Sequence, residues 1–198
     1  SIGASYDYAS LGCTHHCPED INLMYNIPNM QIVVPGNSEE FDTLFRQSYK
    51  NKYPTYFRLS DHENLNKFKV RFGKCNFINN KSKINILAIG PVLNFVYPLV
   101  QKYKVNLIYS TTIRPFDKKK LKRFLKKNSS LLIIEPFYSG AVLNEIKNLV
   151  GNNKYKIENI SVPFKFLTNY GKKIEHDKKL GFSLKNVEKI IKKLKKIS

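Results

Sequence analysis

From residue 84 onward the chain repeats one rhythm. Near-continuous apolar runs at residues 84–90 (INILAIG), 105–111 (VNLIYST), 130–137 (SLLIIEPF) and 156–163 (KIENISVP) alternate with longer amphipathic stretches. Apolar runs of this length predict strands buried on both faces, as in a parallel sheet. The stretches between them predict helices. The first, residues 91–103, carries Pro91 in its opening turn and Pro98 inside, which predicts a kink or an early stop. Asp117 and Ser139 are candidate N-caps for the next two, and Gly151 lies past the end of the second. Ser183 caps a closing helix with Leu184, Val187, Ile190, Ile191, Leu194 and Ile197 on one face. Four strands alternating with helices imply an α/β fold with an open, mostly parallel sheet in three layers.

The earlier part is less regular. Residues 18–27 predict a helix, with Pro18 in the first turn and Glu19 and Asp20 at the positive end of its dipole. Residues 30–36 (MQIVVPG) form a short apolar strand closed by Pro-Gly. Residues 37–51 predict a helix capped by Asn37 or Ser38, with Phe41, Leu44, Phe45 and Tyr49 on one stripe. Residues 54–60 (PTYFRLS) alternate as a strand does. The following residues, 61–82, are polar and broken. They hold a short strand at 69–72 and an Asn/Lys/Ser stretch that reads as a linker. A boundary within 79–83 divides the chain into residues 1–78 and 79–198.

Composition narrows the class. A hydrophobic fraction of 42% with 13% aromatics suits a globular chain of 198 residues. Three widely spread cysteines do not make a disulfide framework and point to a reducing, cytoplasmic setting. No apolar run reaches the roughly 18 residues of a membrane span. The opening SIGASYDYAS has neither an initiating Met nor a signal-peptide pattern, and the chain is expected to be a piece of something longer. The formal charge is +19, enough to attract a polyanion. The lysines, however, recur at helical spacing between apolar residues, as on solvated helix faces. With no aromatic basic strand and no paired Cys/His finger, nucleic-acid binding is not expected.

The chemistry concentrates in LGCTHHCPED, residues 11–20. Structural zinc sites use two separated ligand pairs, whereas Cys13, His15, His16 and Cys17 are too close together to supply four tetrahedral ligands. A Cys–His hydrolase would draw its pair from distant positions. A Gly-x-Thr-His turn leading into a helix instead sets an imidazole on a rim, where it can bond a hydroxyl or phosphate or move a proton. A plain pair of surface histidines fits these residues equally well.

The stretch LGCTHHCPEDINLMYNIPNMQIVVPGNSEEF resembles the later half of the pyrimidine-binding domain of transketolases. Gly12, Thr14, His15, His16, Glu19, Asp20, Met24, Ile27, Pro28, Asn29, Met30, Pro35 and Glu39 follow the family pattern in order. PTYFRLS resembles the next strand. INILAIGPVLNFVYPLVQKY, VNLIYSTTIRPFD, LLIIEPFYSGAVLNEI and the closing NYGKKIEHDKKLGFSLKNVEKII resemble the transketolase C-terminal domain. The implied architecture is a partial pyrimidine-binding α/β domain followed by a three-layer C-terminal domain, as in the C-terminal subunit of a split transketolase.

The resemblance implies a dimeric transferase that uses thiamine diphosphate and Mg2+ to pass a two-carbon ketol unit between sugars or sugar phosphates. It implies that His15 is a catalytic and substrate-binding residue, and that His16 and Arg58 bind substrate. It also implies that the glutamate activating the aminopyrimidine, the aromatic residues stacked on it, and the diphosphate–metal motif belong to earlier segments. The chain would therefore need an N-terminal transketolase half or subunit and be inactive alone. Two positions depart from the pattern: Leu11 stands where transketolases carry Asp, and Asp61 where a second arginine follows the strand. Alternative readings are a 1-deoxy-D-xylulose-5-phosphate synthase-like or 2-oxo-acid dehydrogenase beta-like subunit, or a non-catalytic assembly or regulatory module.

Overall fold

A computed structural model describes residues 3–79, 81–151 and 155–196. The chain enters through short 3-10 turns at Ala9–Leu11 and Cys13–His15, then forms α1 (Asp20–Tyr25), β1 (Gln31–Val33), α2 (Ser38–Ser48) and β2 (Thr55–Phe57). It continues through β3 (Cys75–Ile78), β4 (Ile84–Ile89), a 3-10 turn (Gly90–Val92), α3 (Leu93–Tyr103), β5 (Asn106–Ser110) and β6 (Thr112–Arg114). Then come α4 (Lys118–Phe124), β7 (Ser130–Tyr138), α5 (Ala141–Val150), β8 (Lys156–Val162), α6 (Lys173–Leu180) and α7 (Leu184–Lys195).

The four apolar runs become the parallel strands of a five-stranded sheet ordered β3-β5-β4-β7-β8, with β3 antiparallel at one edge. Every residue of β4 is buried, as expected for a central strand covered on both sides. Alternation then sorts its side chains. Ile86 and Ala88 join Leu132 and Ile134 against α3 and α7, through Val96, Val100, Val187 and Ile191. Leu87 and Ile89 join Leu131 and Ile133 against α4 and α5, through Leu121, Val142 and Ile146. This is the expected three-layer arrangement. A second sheet of three short strands, β2-β1-β6, pairs β1 parallel to β2 and antiparallel to β6. Each sheet takes one strand from the other side of the division expected at residue 79: β3 precedes it and β6 follows it.

Several local expectations change. The strand expected at residues 69–72 is absent. The chain turns there through Gly73, whose φ of +68° suits glycine, and the strand forms at Cys75–Ile78 instead. Helix α3 does not stop at Pro98 but runs to Tyr103. Pro98 removes the amide that would bond the Asn94 carbonyl, and both residues are exposed, so water can take that acceptor. Asn37 and Ser183 cap α2 and α7 through their side chains, accepting from the amides of Glu40 and Asn186. Asp117 holds the N-cap position of α4, but its carboxylate accepts from the Cys75 amide. Gly140, not Ser139, stands at the N-cap of α5, and the Ser139 hydroxyl bonds Asn159. The stripe on α2 is only partly covered: Leu44 is buried, while Phe45 and Tyr49 are 43% and 75% exposed. On α7, Val187, Ile191 and Leu194 are buried and Leu184 is exposed; Ile197 lies outside the described residues. Helix α6 and strand β6 were not expected.

The start of α5 is finished by Glu135 at the end of β7. Its carboxylate accepts from the amides of Gly140 and Val142 and from Asn159. Burial outweighs these bonds and pushes its pKa from 4.5 up to about 7. A carboxyl raised on folding stabilises the fold fully below its unfolded value, and that contribution is lost as pH rises through the folded value. Urea unfolding between pH 4.5 and 7 is therefore expected to show a component that weakens with rising pH and disappears in Glu135→Gln. Parallel pH profiles for the two proteins would contradict this assignment.

Candidate functional site

The Gly-x-Thr-His turn forms as a 3-10 turn whose N-cap is Gly12. Gly12 has φ +88°, and a Cβ there would meet the Tyr170 ring at 2.7 Å. Both the backbone and the crossing ring therefore favour glycine at this position. The turn sends the two histidines different ways. His15 is exposed, with Nδ1 3.0 Å from Thr14 Oγ1.

His16 is buried. Its Nδ1 donates to the Leu167 carbonyl at 3.3 Å, and its ring meets Tyr6 and His176 edge-on at 4.9 and 5.4 Å. Tyr6 stacks flat on His176. The three rings tie the entry segment to α6, a connection hidden while α6 was unseen. Burial, with His16 and Lys179 nearby, holds the His176 imidazole below its usual pKa.

Arg58 follows β2 directly and is also interior, at 3% exposure. Its Nε donates to Asp20 Oδ2 at 2.7 Å, and a terminal nitrogen donates to Ser5 Oγ at 2.7 Å. The guanidinium lies 5.5 Å from the centre of the Phe137 ring. Tyr56 adds a hydrogen bond to the same Asp20 oxygen, and the Ser5 hydroxyl donates to the Pro136 carbonyl. Asp20, expected as a helix-dipole partner, is thus also the counterion of Arg58 at the start of α1.

One edge of Arg58 reaches a cleft of about 180 Å³ lined also by Asp7, Ser60, His62, Glu63, Lys173 and Asp177. Lys173 bonds Asp177 at 2.6 Å, one helical turn along α6. Asp7 is drawn in by Asp61, whose amide donates to Asp7 Oδ2. Burial pushes the Asp7 carboxyl above its ordinary value; Lys173 opposes that rise and Asp61 adds to it. Of the predicted site residues, only Arg58 lines this cleft. Asp7, His62 and Lys173 were missed, because nothing in one dimension links residues 7, 62 and 173. The adjacent Asp61–His62 pair was the one available signal.

A thiamine diphosphate site would need an open carboxylate for the aminopyrimidine beside stacked aromatic rings. Asp7 keeps an unpartnered oxygen, but its cleft is lined by a single phenyl ring, Phe95, and no stacked aromatic pair; the other buried carboxylates described here are held by neighbours. Asp20 holds Arg58 and Tyr56, Glu40 accepts from the Gly36 amide and the Tyr109 hydroxyl, and Glu135 finishes α5. The described residues alone do not fit the cofactor.

The fold and this turn define a class: an α/β chain whose first 65 residues match the family "Transketolase, pyrimidine binding domain". Beyond those residues the chain is similar to transketolase-family proteins in fold and in moderate sequence identity. It is 26% identical over 194 residues to a protein of Rhodococcoides fascians described as an uncharacterized 33.6 kDa protein in the fasciation locus, covering 96% of this chain and 62% of that protein. It is 29% identical over 198 residues to 1-deoxy-D-xylulose-5-phosphate synthase of Francisella tularensis subsp. holarctica, covering 94% of this chain and 31% of the enzyme. Its fold matches a split-gene transketolase solved as an inactive beta4 tetramer, with a TM-score of 0.81 at 17% identity over 98% of this chain and 65% of that one. It also matches Campylobacter jejuni transketolase, with a TM-score of 0.76 at 18% identity over 96% of this chain and 30% of that one. The chain thus spans less than two thirds of the length of these relatives.

The Arg58–Asp20 pair has a direct stability consequence. Breaking a buried pair strands the remaining charge and costs about 3–5 kcal/mol. Asp20→Ala and Arg58→Ala are each expected to lower unfolding free energy by about that much, measured by urea titration, with a double variant less destabilised than the sum. Full additivity would show that the two side chains act independently.

Proposed function

We propose that the chain supplies the pyrimidine-side and C-terminal part of a thiamine-diphosphate-dependent transferase that moves a two-carbon ketol unit between sugars or sugar phosphates. The family match over residues 1–65, with His15 exposed on the Gly-Cys-Thr-His turn, carries this reading. An N-terminal transketolase half or subunit completes the enzyme and holds most of the cofactor and its Mg2+; the poor fit of the described residues to the cofactor supports this. When bound, thiamine diphosphate supplies the carbanion chemistry. His15 contacts the donor sugar and exchanges a proton with one of its hydroxyls. Arg58 sets the substrate side of the cleft from behind, anchored by Asp20, and His16 holds the turn from within.

Assembly into a dimer or larger oligomer fits the exposed aromatic side chains of Phe45, Tyr49 and Tyr53. The three free cysteines suit a reducing, cytoplasmic compartment. Identity to 1-deoxy-D-xylulose-5-phosphate synthases over nearly the whole chain favours a second reading, a transferase that forms that product.

Activity is tested with the N-terminal half added. Ketol transfer is expected only in the mixture, and His15→Ala should lower kcat by about 10²–10⁴ while leaving cofactor affinity nearly unchanged. No transfer in a complex shown to bind thiamine diphosphate rejects the ketol-transfer reading. Appearance of 1-deoxy-D-xylulose 5-phosphate in its place selects the second reading.

A further inference from the structure

Asp7, Asp61 and His62 come together at the mouth of the cleft, from the entry segment and the loop after β2. One ligand atom from each lies within 4.8 Å of the others. Acidic residues gather on many surfaces without consequence, but Asp7 is different. Its side chain is fully buried, with 0% exposure, and its Oδ1 has no hydrogen-bond partner. That oxygen points at His62 Nδ1, 3.9 Å away. The same ring nitrogen also contacts Asp61 Oδ1. The nearby lysine does not satisfy Asp7, because Lys173 is bonded to Asp177. A buried carboxylate oxygen with no donor is costly, and here a second carboxylate stands beside it.

We propose that Asp7, Asp61 and His62 bind a divalent first-row transition ion, with an open coordination position facing the cleft. Bonds of about 2.0–2.2 Å in tetrahedral geometry hold ligand atoms roughly 3.3 Å apart. The Asp7–His62 separation closes slightly to reach this, and the Asp61–His62 contact opens. One imidazole with two carboxylates suits zinc, cobalt or manganese better than calcium, which takes six to eight oxygens. Three protein ligands leave room for water or a substrate oxygen, and Ser60, Arg58 and Lys173 line the space it would enter. The ion also changes what the cleft accepts. Without it, Asp7, Asp61, Glu63 and Asp177 oppose an anion; with it, an oxygen-rich ligand gains a Lewis acid to bind. The inference does not depend on the ketol-transfer reading.

The test uses the full chain without a histidine tag, stripped with a chelator and titrated with cobalt(II), followed by calorimetry and visible absorption. One saturating equivalent per chain is expected. His62→Gln and Asp61→Asn, both at exposed positions, should each weaken binding by more than the roughly 10- to 100-fold that loss of an outer-shell partner costs, with an unchanged far-ultraviolet circular dichroism spectrum. Asp7→Asn should do the same. No saturable binding, or wild-type affinity in His62→Gln, overturns the proposal. So does a thiolate charge-transfer band, which would place the ion at Cys13 and Cys17 instead.

Discussion

The buried contact between Arg58 and Asp20 organises the first half of this chain. Four separate pieces meet at it: the entry segment through Ser5, α1 through Asp20, the strand β2 through Tyr56, and the end of β7 through Pro136 and Phe137. Apolar packing alone would tolerate sliding among these pieces. A guanidinium with fixed donor directions does not. An ion pair withdrawn from water adds little net stability, because desolvation offsets attraction. Its effect here is to hold the Gly-Cys-Thr-His turn in one place relative to the large sheet. The arginine read as a substrate contact is thus also the anchor that positions the rim on which His15 stands.

The large sheet was legible because its strands are buried on both sides. Residues 84–89 and 131–134 are apolar at every position or nearly so, and no other element of that length survives such burial except a core helix. The caps Asn37 and Ser183 were legible for a similar reason: a short polar side chain before an apolar stripe satisfies amides that nothing else can reach. The small sheet was harder. Its third strand has three residues and follows β5 after one intervening residue, so it reads as the tail of a longer run. Strand β3 is hidden between Gly73 and an Asn-rich stretch. Helix α6 is built from Lys173 to Leu180, a segment with one buried side chain, His176. It carries too little apolar periodicity to announce itself.

The site was legible only where its residues are adjacent in sequence. The histidine pair could be read as chemistry, but that the two rings diverge follows from the 3-10 turn and from Tyr6 and His176 waiting on one side. The departure at Asp61 gains meaning in three dimensions. It converts a position where relatives are expected to carry positive charge into part of an acidic rim, within a chain of formal charge +19. Global and local charge therefore have opposite signs at the cleft. Several lysines are engaged in ion pairs on helix faces, as Lys102 with Glu188 and Lys193 with Glu158, in keeping with their reading as solvated surface.

The exchange of strands across residue 79 bears on how this chain can be taken apart. A protein built from two beads on a string can be cut between them, shuffled by recombination, or expressed piecewise. Here a break in the linker would strip β3 from one sheet and β6 from the other, leaving each fragment with an unpaired edge open to self-association. The two halves are interlaced rather than concatenated. Separated at that point, the two fragments are each expected to lose a strand's worth of backbone pairing that only the other can restore.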